Sequence, residues 1–274
     1  MLKFGMKKII LFLSIVFLFT SCGEYQKVLK SKDTSLKYST AEKLYNEAAE
    51  ENSRRKYRKA LRLFEQLVPE YRGKPQGQKL MFLFADTYYQ LNDYYLAGYQ
   101  FERFVETYPE SEKLEEAAYK GAKSYYFLSP PYYLDQSETD KAIGELQEFI
   151  NRFPESTHMD EANDLVTELR VKLEKKAYEI AKQYHHTESY IAAMTAFDNF
   201  ISEYPGSPFR EKAFYYRFES AYIYAVNSYA YAMPERLARA RDYYEDYKRY
   251  YPEGEFIGLA EAAIKDIEQK EQQL

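Results

Sequence analysis

Several residue types are scarce in this chain of 274 residues, and their scarcity excludes whole classes of protein. A single cysteine excludes a disulfide within the chain. The three histidines, His158, His185 and His186, leave little material for a metal site. Nucleophile motifs, glycine-rich phosphate loops and HExxH zinc motifs are missing as well. We therefore predict no catalytic or metal-binding residues and no enzymatic activity, and we expect the histidines to be solvent-exposed or at helix ends.

Positive charge and strand-like patterns are also scarce. Lysine and arginine number 38 against 43 aspartates and glutamates, which argues against binding to nucleic acid. No stretch alternates apolar and polar residues for long enough to indicate a β-sheet. Aromatic residues are abundant instead, with 31 tyrosines and 18 phenylalanines but no tryptophan. Such large side chains suit stacked helices that must fill the space between them, so the predicted fold class is all-α.

Residues 1–21 have the pattern of a secretory signal peptide. Three lysines precede an apolar run, Ile9 to Phe19, that is too short for a stable membrane span. Without the lysines Lys3, Lys7 and Lys8 the formal net charge falls from −5 to −8, so the remaining chain has no net attraction for anionic lipid. We expect any attachment to a membrane to come from a lipid rather than from surface charge.

Cys22 follows the apolar run directly. The segment Phe19-Thr20-Ser21-Cys22 resembles the bacterial lipobox. This resemblance implies cleavage before Cys22 and covalent lipid on that residue, with no other cofactor expected. The alternative is a plain signal peptide with an incidental cysteine. Residues 22–38 are polar and lack sustained periodicity, so we predict a tether between the lipid and the folded domain.

One sequence frame recurs along the rest of the chain. It consists of a small residue, large residues four and seven positions later, and a proline, as in Ala97, Phe101, Phe104 and Pro109. These offsets place the residues on one helical face, and the proline ends the helix soon after. Each copy is therefore predicted to be the second helix of a helical pair. The other copies are Ala60, Phe64 and Leu67, with Pro69 three places early; Ala142, Leu146, Phe149 and Pro154; Ala193, Phe197, Phe200 and Pro205; and Ala240, Tyr244, Tyr247 and Pro252.

The helices that precede these copies share a small residue followed three positions later by tyrosine, as in Ala85 and Tyr88. Together the two patterns resemble the tetratricopeptide-repeat family. The chain departs from that family because it lacks tryptophan and its units are longer than about 34 residues. The resemblance implies a superhelix of about five helix pairs over residues 39–74, 76–111, 112–156, 158–207 and 208–254, followed by a C-terminal helix at 255–274. Between Pro154 and Pro205 the chain contains neither glycine nor proline, which predicts that the first helix of the fourth pair has about 25 residues.

Aromatic residues also recur on the first helices. Tyr45, Phe82 and Tyr119 lie three positions before the small residue of their unit, and Tyr89 and Tyr126 lie four positions after it. In tetratricopeptide arrays these offsets fall on the concave surface, so the resemblance implies an aromatic groove for an extended or helical peptide. The alternative is that the rings fill the gap between adjacent units.

The lipobox, the tether and the five irregular units together resemble the BamD family of outer-membrane β-barrel assembly lipoproteins. Three stretches strengthen this resemblance: residues 60–65, Asp135-Gln136, and residues 169–173. The resemblance implies a non-catalytic scaffold, lipid-anchored to the outer membrane on its periplasmic face. It also implies two partners, unfolded barrel precursors at the N-terminal units and the periplasmic domains of a barrel-inserting protein at the C-terminal units. The residues expected to dock that protein are Arg210, Tyr215, Phe218, Tyr229 and Tyr231.

Two other functions remain open at the level of the sequence. A periplasmic repeat lipoprotein that serves the cell wall, a secretin or a nutrient-uptake system would have the same repeats but a different neighbour. An enzyme such as a wall hydrolase would need a polar pocket with convergent acids, and the sequence does not display one.

Overall fold

The computed structural model describes residues 23–71 and 73–273, and all regular structure in these ranges is helical. The predicted signal peptide and Cys22 lie outside the described residues. The all-α prediction is confirmed. The helices are α1 (23–30), α2 (Thr34–Glu51), α3 (Arg54–Tyr71), α4 (Gln78–Gln90), α5 (Tyr94–Thr107), α6 (Leu114–Leu128), α7 (Ser137–Arg152), α8 (Met159–His186), α9 (Tyr190–Glu203), α10 (Arg210–Val226), α11 (Met233–Tyr250) and α12 (Ile257–Glu271), with a short 3-10 helix at Pro75–Gly77.

Helices α2 to α11 form the five pairs that the recurring frame predicts, and α12 follows them. Short turns join three of the pairs, and each turn contains a residue in the left-handed region: Asn52, Asn92 or Glu188. Such a residue ends a helix and reverses the chain. The third and fifth pairs have longer connections, over 129–136 and 227–232.

The chain divides into two compact units. The N-terminal unit comprises the described residues up to Ser129 together with Glu138–Asn163, and the C-terminal unit comprises Pro130–Ser137 and the residues from Asp164 onward. The first three pairs therefore belong to the N-terminal unit, and α9 to α12 belong to the C-terminal unit. The division falls inside α8, which has 28 residues, close to the predicted length.

The core of the N-terminal unit contains the frame residues of α5. Ala97, Phe101 and Phe104 are fully buried, because the offsets of four and seven place them on one face of the helix. Gly98 lies so close to Tyr125 that a Cβ atom there would come within 2.9 Å of the tyrosine ring. A side chain at position 98 would therefore push α5 and α6 apart.

The prolines of the frame end their helices in four of the five copies. Helices α5, α7, α9 and α11 each stop two residues before the proline, because the residue before a proline is disfavoured in the helical region. Helix α3 is different, since it continues through Pro69 to Tyr71. The buried residues Leu67 and Val68 pack that last turn against the core.

The segment predicted to be a tether is folded over its described residues. Helix α1 occupies 23–30, and α2 begins at Thr34, earlier than the predicted start of the first repeat at residue 39. Tyr25 is 9% exposed, and its hydroxyl donates a hydrogen bond of 3.0 Å to the backbone carbonyl of Lys59. Val28 and Leu29 pack against the same core. These three apolar residues, at spacings of three and four, form a stripe too short to stand out in a polar sequence.

Replacement of Tyr25 tests whether α1 is part of the fold. We expect Tyr25→Ala to lower the free energy of unfolding by about 2–4 kcal/mol, because a buried ring is lost. Tyr25→Phe removes only the hydrogen bond to Lys59 and should cost about 1 kcal/mol. Urea unfolding followed by circular dichroism measures both changes. Equal stability of Tyr25→Ala and the unmodified protein would contradict the packing of α1.

Candidate functional site

The N-terminal unit has a groove between its first helices. It lies among α2, the short 3-10 helix, α4 and the N-terminal part of α6, and it has a volume of about 530 Å³. Tyr45 and Phe82, two of the residues predicted to line a peptide groove, lie at this site. Charged residues of both signs surround it. Lys79 pairs with Glu42, and Lys113 pairs with Glu116 at 2.7 Å.

A buried carboxylate lies beside this groove. Asp86 is 1% exposed, and it accepts hydrogen bonds from the Tyr45 hydroxyl, from Lys120 Nζ at 2.6 Å and from Gln90 Nε2 at 3.2 Å. Tyr45, Asp86 and Lys120 belong to α2, α4 and α6, so one side chain joins the first helices of three successive pairs. Our sequence analysis missed Asp86. The available signal was a single carboxylate inside the apolar stretch 80–89.

The same network raises the pKa of Tyr45 and of Lys120. Burial raises the pKa of Tyr45, and the charge of Asp86 raises it further. Burial by itself would lower the pKa of Lys120, but the carboxylates of Asp86 and Glu116 outweigh this effect and raise it. Tyr45 therefore stays a neutral donor and Lys120 stays a cation at neutral pH.

Lysine side chains cover aromatic rings of the groove. Lys120 Nζ lies 5.6 Å from the ring centre of Phe82 and 5.9 Å from that of Tyr89. Lys123 lies 5.4 Å from the ring centre of Tyr119 and pairs with Glu161 at 2.5 Å. These distances allow cation–π attraction. Lys120 and Lys123, which lie near the groove, are therefore each held over a ring, and each pairs with a carboxylate.

Two of the predicted groove residues are core residues. Phe82 is 6% exposed and meets Phe101 and Phe104 edge to face, with ring centres 5.9 and 5.7 Å apart. Tyr119 is 5% exposed and stacks on His158 at 4.0 Å. These two rings, three positions before the small residue of their unit, fill the space between helices. This is the alternative to an aromatic groove that the sequence left open. The prediction that Tyr119 forms open groove surface is therefore wrong, and Phe82 contributes to the groove only with a ring that is otherwise buried in the core.

Tyr89 and Tyr126 are only partly buried, and they belong to a cluster of four rings. Tyr89 meets Tyr94 edge to face at 5.7 Å, Tyr94 stacks on Phe127 at 4.4 Å, and Tyr126 lies 5.4 Å from Phe127. Phe127 is 42% exposed. We call Tyr89, Tyr94, Tyr126 and Phe127 the aromatic edge. The sequence analysis found two of these residues and missed Tyr94 and Phe127, which do not recur at fixed offsets.

A second cavity of the N-terminal unit, about 320 Å³, lies among α5, α6 and α7. Two glutamates, Glu102 and Glu145, face each other there. Burial, together with the charge of Glu102, raises the pKa of Glu145 to about 7. Lys141 opposes this effect, but it lies 3.5 Å from Glu102 and 3.9 Å from the ring centre of Tyr125. One proton is therefore shared by this acidic pair near neutral pH.

The residues predicted to dock a partner are divided between core and surface in the C-terminal unit. Tyr215 is 6% exposed and stacks on Phe256 at 4.5 Å, and Phe218 is 1% exposed. Arg210 lies over the rings of Phe214 and Tyr250, at 4.9 and 5.0 Å. These three side chains are thus engaged within the unit, and Tyr215 and Phe218 do not project from its surface.

The other two predicted docking residues are open to solvent. Tyr229 and Tyr231 lie in the connection between α10 and α11 and are 78% and 86% exposed. Their rings are nearly parallel, with centres 6.0 Å apart.

A groove of about 330 Å³ separates α10 from α12 in the C-terminal unit. Its floor includes Tyr215 and Phe218, and Glu219 is the one charged residue among the described residues that line it. Glu219 accepts a hydrogen bond of 2.7 Å from the Tyr215 hydroxyl and lies 3.2 Å from His185 Nε2. Burial opposes ionisation of Glu219, but these two partners outweigh it and lower its pKa.

His185 lies in the last turn of α8, which is one of the two placements expected for the histidines. Its ring is mostly buried, and Nδ1 lies 2.9 Å from the Ser220 hydroxyl.

In the described part of the chain no helix combines the length and the apolar character that crossing a membrane requires.

Comparison with known proteins identifies the family. Residues 37–237 match the family model YfiO, described as outer membrane lipoprotein. The chain belongs to the YfiO family.

Curated relatives of this YfiO family member carry one name. The outer membrane protein assembly factor BamD of Neisseria meningitidis serogroup B is 25% identical over 218 residues, which is 76% of this chain and 81% of the relative. BamD of Xylella fastidiosa is 23% identical over 73% of this chain and 70% of its own length. Among solved structures, MamA covers 81% of this chain and 95% of its own at 15% identity, with a TM-score of 0.32, too low to add to the description of the fold.

Replacement of Asp86 tests the buried network of this YfiO family member. We expect Asp86→Ala to cost about 3–5 kcal/mol in the unfolding of the N-terminal unit, because Lys120 loses its buried partner and Tyr45 loses its acceptor. A matched control is Glu116→Gln, which removes a more exposed partner of Lys120 and should cost less than about 1 kcal/mol. Urea unfolding measures both. Similar losses for the two variants would contradict the central role of Asp86.

The acidic pair predicts a pH dependence of stability. The folded protein holds a proton on the pair up to about pH 7, whereas an unfolded glutamate loses it near pH 4.5. The folded state therefore binds more protons between these values, and this contribution to stability is lost as the pH rises. We expect Glu145→Gln to match the unmodified protein near pH 5 and to exceed its stability by about 1–2 kcal/mol at pH 8, after allowance for solvent screening.

Urea unfolding at several pH values measures this difference. Glu138→Gln, an exposed glutamate in the first turn of α7, serves as the control and should show no such trend. A stability difference for Glu145→Gln that stays constant from pH 5 to pH 8 would refute the shared proton.

Proposed function

We propose that this chain is an outer-membrane protein assembly factor, a non-catalytic repeat scaffold that binds unfolded β-barrel precursors and the barrel-inserting partner protein. Membership of the YfiO family, together with curated relatives that are BamD assembly factors, is the observation that carries this proposal. Lipid on Cys22 would hold the chain at the periplasmic face of the outer membrane. Several acyl groups on that residue would make the attachment durable, because one chain alone binds weakly.

The precursor is proposed to bind the N-terminal unit. The groove beside Tyr45 offers about 530 Å³ between helices, enough for side chains of an extended segment. The aromatic edge adds rings that are open on one side, as Phe127 is 42% exposed. Aromatic residues of a precursor can stack there, and such contacts add to the burial of apolar area. Binding of this kind requires shape and apolar surface but no covalent chemistry.

The barrel-inserting partner is proposed to dock on the C-terminal unit. Tyr229 and Tyr231 support this assignment. They are 78% and 86% exposed, and tyrosine is a common anchor residue at protein interfaces. The groove between α10 and α12 provides a second surface on the same unit.

Replacement of two residues of the aromatic edge tests precursor capture. We expect the double variant Tyr89→Ser, Tyr126→Ser to retain about tenfold less precursor, because two ring contacts are worth roughly 1.4 kcal/mol or more together. The midpoint of thermal unfolding should fall only slightly, since both rings are partly exposed. Pull-down of the full-length chain from detergent extracts, with quantitation of bound barrel precursors, measures the change.

The control is Tyr95→Ser, which removes a tyrosine that is 69% exposed on α5 and lies outside the aromatic edge. It should retain as much precursor as the unmodified chain. A large fall in the unfolding midpoint of the double variant would instead identify the two rings as core. Copurification with an envelope system other than barrel assembly, with barrel proteins at normal levels after depletion, would overturn the proposed function itself.

A further inference from the structure

The groove between α10 and α12 has the dimensions of a helix-binding site. Its α10 side extends from Tyr215 to Ile223, nine residues that span about 12 Å, or about two helical turns. Its α12 side is formed by Leu259, Ala262 and Ala263, which recur at spacings of three and four. Two helices that present such stripes side by side leave a channel into which the ridge of a third helix fits.

The α12 wall of this groove is apolar and open. Leu259 is 61% exposed, and Ala262 is exposed beside it. The adjoining face of α12 is buried through Ala260, Ile264 and Ile267. Helix α12 is thus apolar on two faces, of which the described chain covers one.

The charge in the groove indicates what kind of helix fits. Glu219 lies midway along the α10 stripe, between Tyr215 and Ile223, with its side chain 28% exposed. The neighbouring acid, Asp266, accepts a hydrogen bond of 2.9 Å from the Tyr222 hydroxyl and lies 3.8 Å from Lys270. Asp266 therefore has a cation of its own within the unit. Glu219 has a hydroxyl and an imidazole, and it remains accessible from the groove.

An apolar or acidic partner over Glu219 would desolvate the carboxylate without a countercharge, at a cost of several kcal/mol. A basic side chain would offset that cost. Each carboxylate oxygen of Glu219 has one partner, Tyr215 or His185, and has capacity for one more hydrogen bond. The planar fork of arginine can donate to both oxygens at once, whereas lysine donates from a single point.

We propose that the groove between α10 and α12 binds an amphipathic helix of a partner protein, with apolar residues against Leu259 and Ile223 and an arginine that pairs with Glu219. The inference rests on the proposed function for the identity of the partner. The recognition itself follows from an apolar groove with one central carboxylate.

Synthetic peptides test this recognition on the full-length chain in lipid nanodiscs. The probe is a helical peptide of about 14 residues with leucines at i, i+3 and i+7 and a single arginine at i+4; a second peptide has glutamate in place of the arginine. Fluorescence anisotropy should give a dissociation constant at least about tenfold lower for the arginine peptide, as expected for a close charge pair. A benzophenone side chain at position 259 should cross-link to the arginine peptide. Equal affinities for the two peptides would overturn the proposal.

Variants of the chain locate the binding. Glu219→Gln should weaken the arginine peptide about tenfold, and Glu219→Arg should reverse the preference toward the glutamate peptide. Leu259→Ser should weaken both peptides. Glu235→Gln, whose side chain is 84% exposed on α11, and Leu134→Ser, 49% exposed outside the groove, are controls and should change neither affinity. If Glu219→Gln binds the arginine peptide as tightly as the unmodified chain does, the assigned contact is wrong.

The inference and the proposed function can fail separately. If barrel-assembly proteins copurify equally with Glu219→Gln and Leu259→Ser, the proposed groove contact is wrong and the proposed function stands. If the arginine peptide binds as expected but another envelope system copurifies, the groove is correct and the proposed function is wrong.

Discussion

The buried carboxylate of Asp86 is the constraint on which the N-terminal unit depends. A charge with 1% exposure is stable only when donors surround it, and here the donors come from two neighbouring first helices. Tyr45 and Lys120 must therefore stay in register with Asp86. Because Lys120 is fixed, its ammonium group stays over the rings of Phe82 and Tyr89. The alignment of these three first helices, and with it the position of Tyr45 at the groove, thus depends on one side chain.

Much of the fold could be predicted from the sequence, because burial on a helix is a local, periodic property. Offsets of four and seven place Ala97, Phe101 and Phe104 on one face, and all three are fully buried. The sequence did not predict α1, where Tyr25, Val28 and Leu29 form a stripe of only about one turn in a polar segment. Such a short pattern cannot be distinguished from chance in the sequence. The burial of these residues depends on contacts with Lys59 and with the core of the N-terminal unit, which are distant in sequence.

The candidate site was harder to predict, because exposure depends on neighbours that are distant in sequence. Phe82 and Tyr89 lie on the same helix and were grouped together, yet Phe82 is buried against Phe101 while Tyr89 reaches a partly open edge. Tyr215 and Phe218 were expected at a surface, but α12 supplies the residues that enclose them. Tyr229 and Tyr231 are exposed as expected, since a short connection has no core of its own in which to bury two rings.

The grooves of the two units differ in the arrangement of their charged residues, and this difference fits the separate roles proposed for the two units. In the N-terminal groove Lys79 and Lys113 each have a carboxylate partner, so an occupant meets balanced charge and is selected by shape and apolar area. In the C-terminal groove Glu219 lies on an apolar surface without a permanent cation of its own, so an occupant must bring a positive charge to a fixed point. A surface with balanced charge tolerates varied segments, as the proposed receptor for many precursors requires. A surface with one carboxylate that lacks a permanent cation selects a single kind of segment, as the proposed permanent partner would provide.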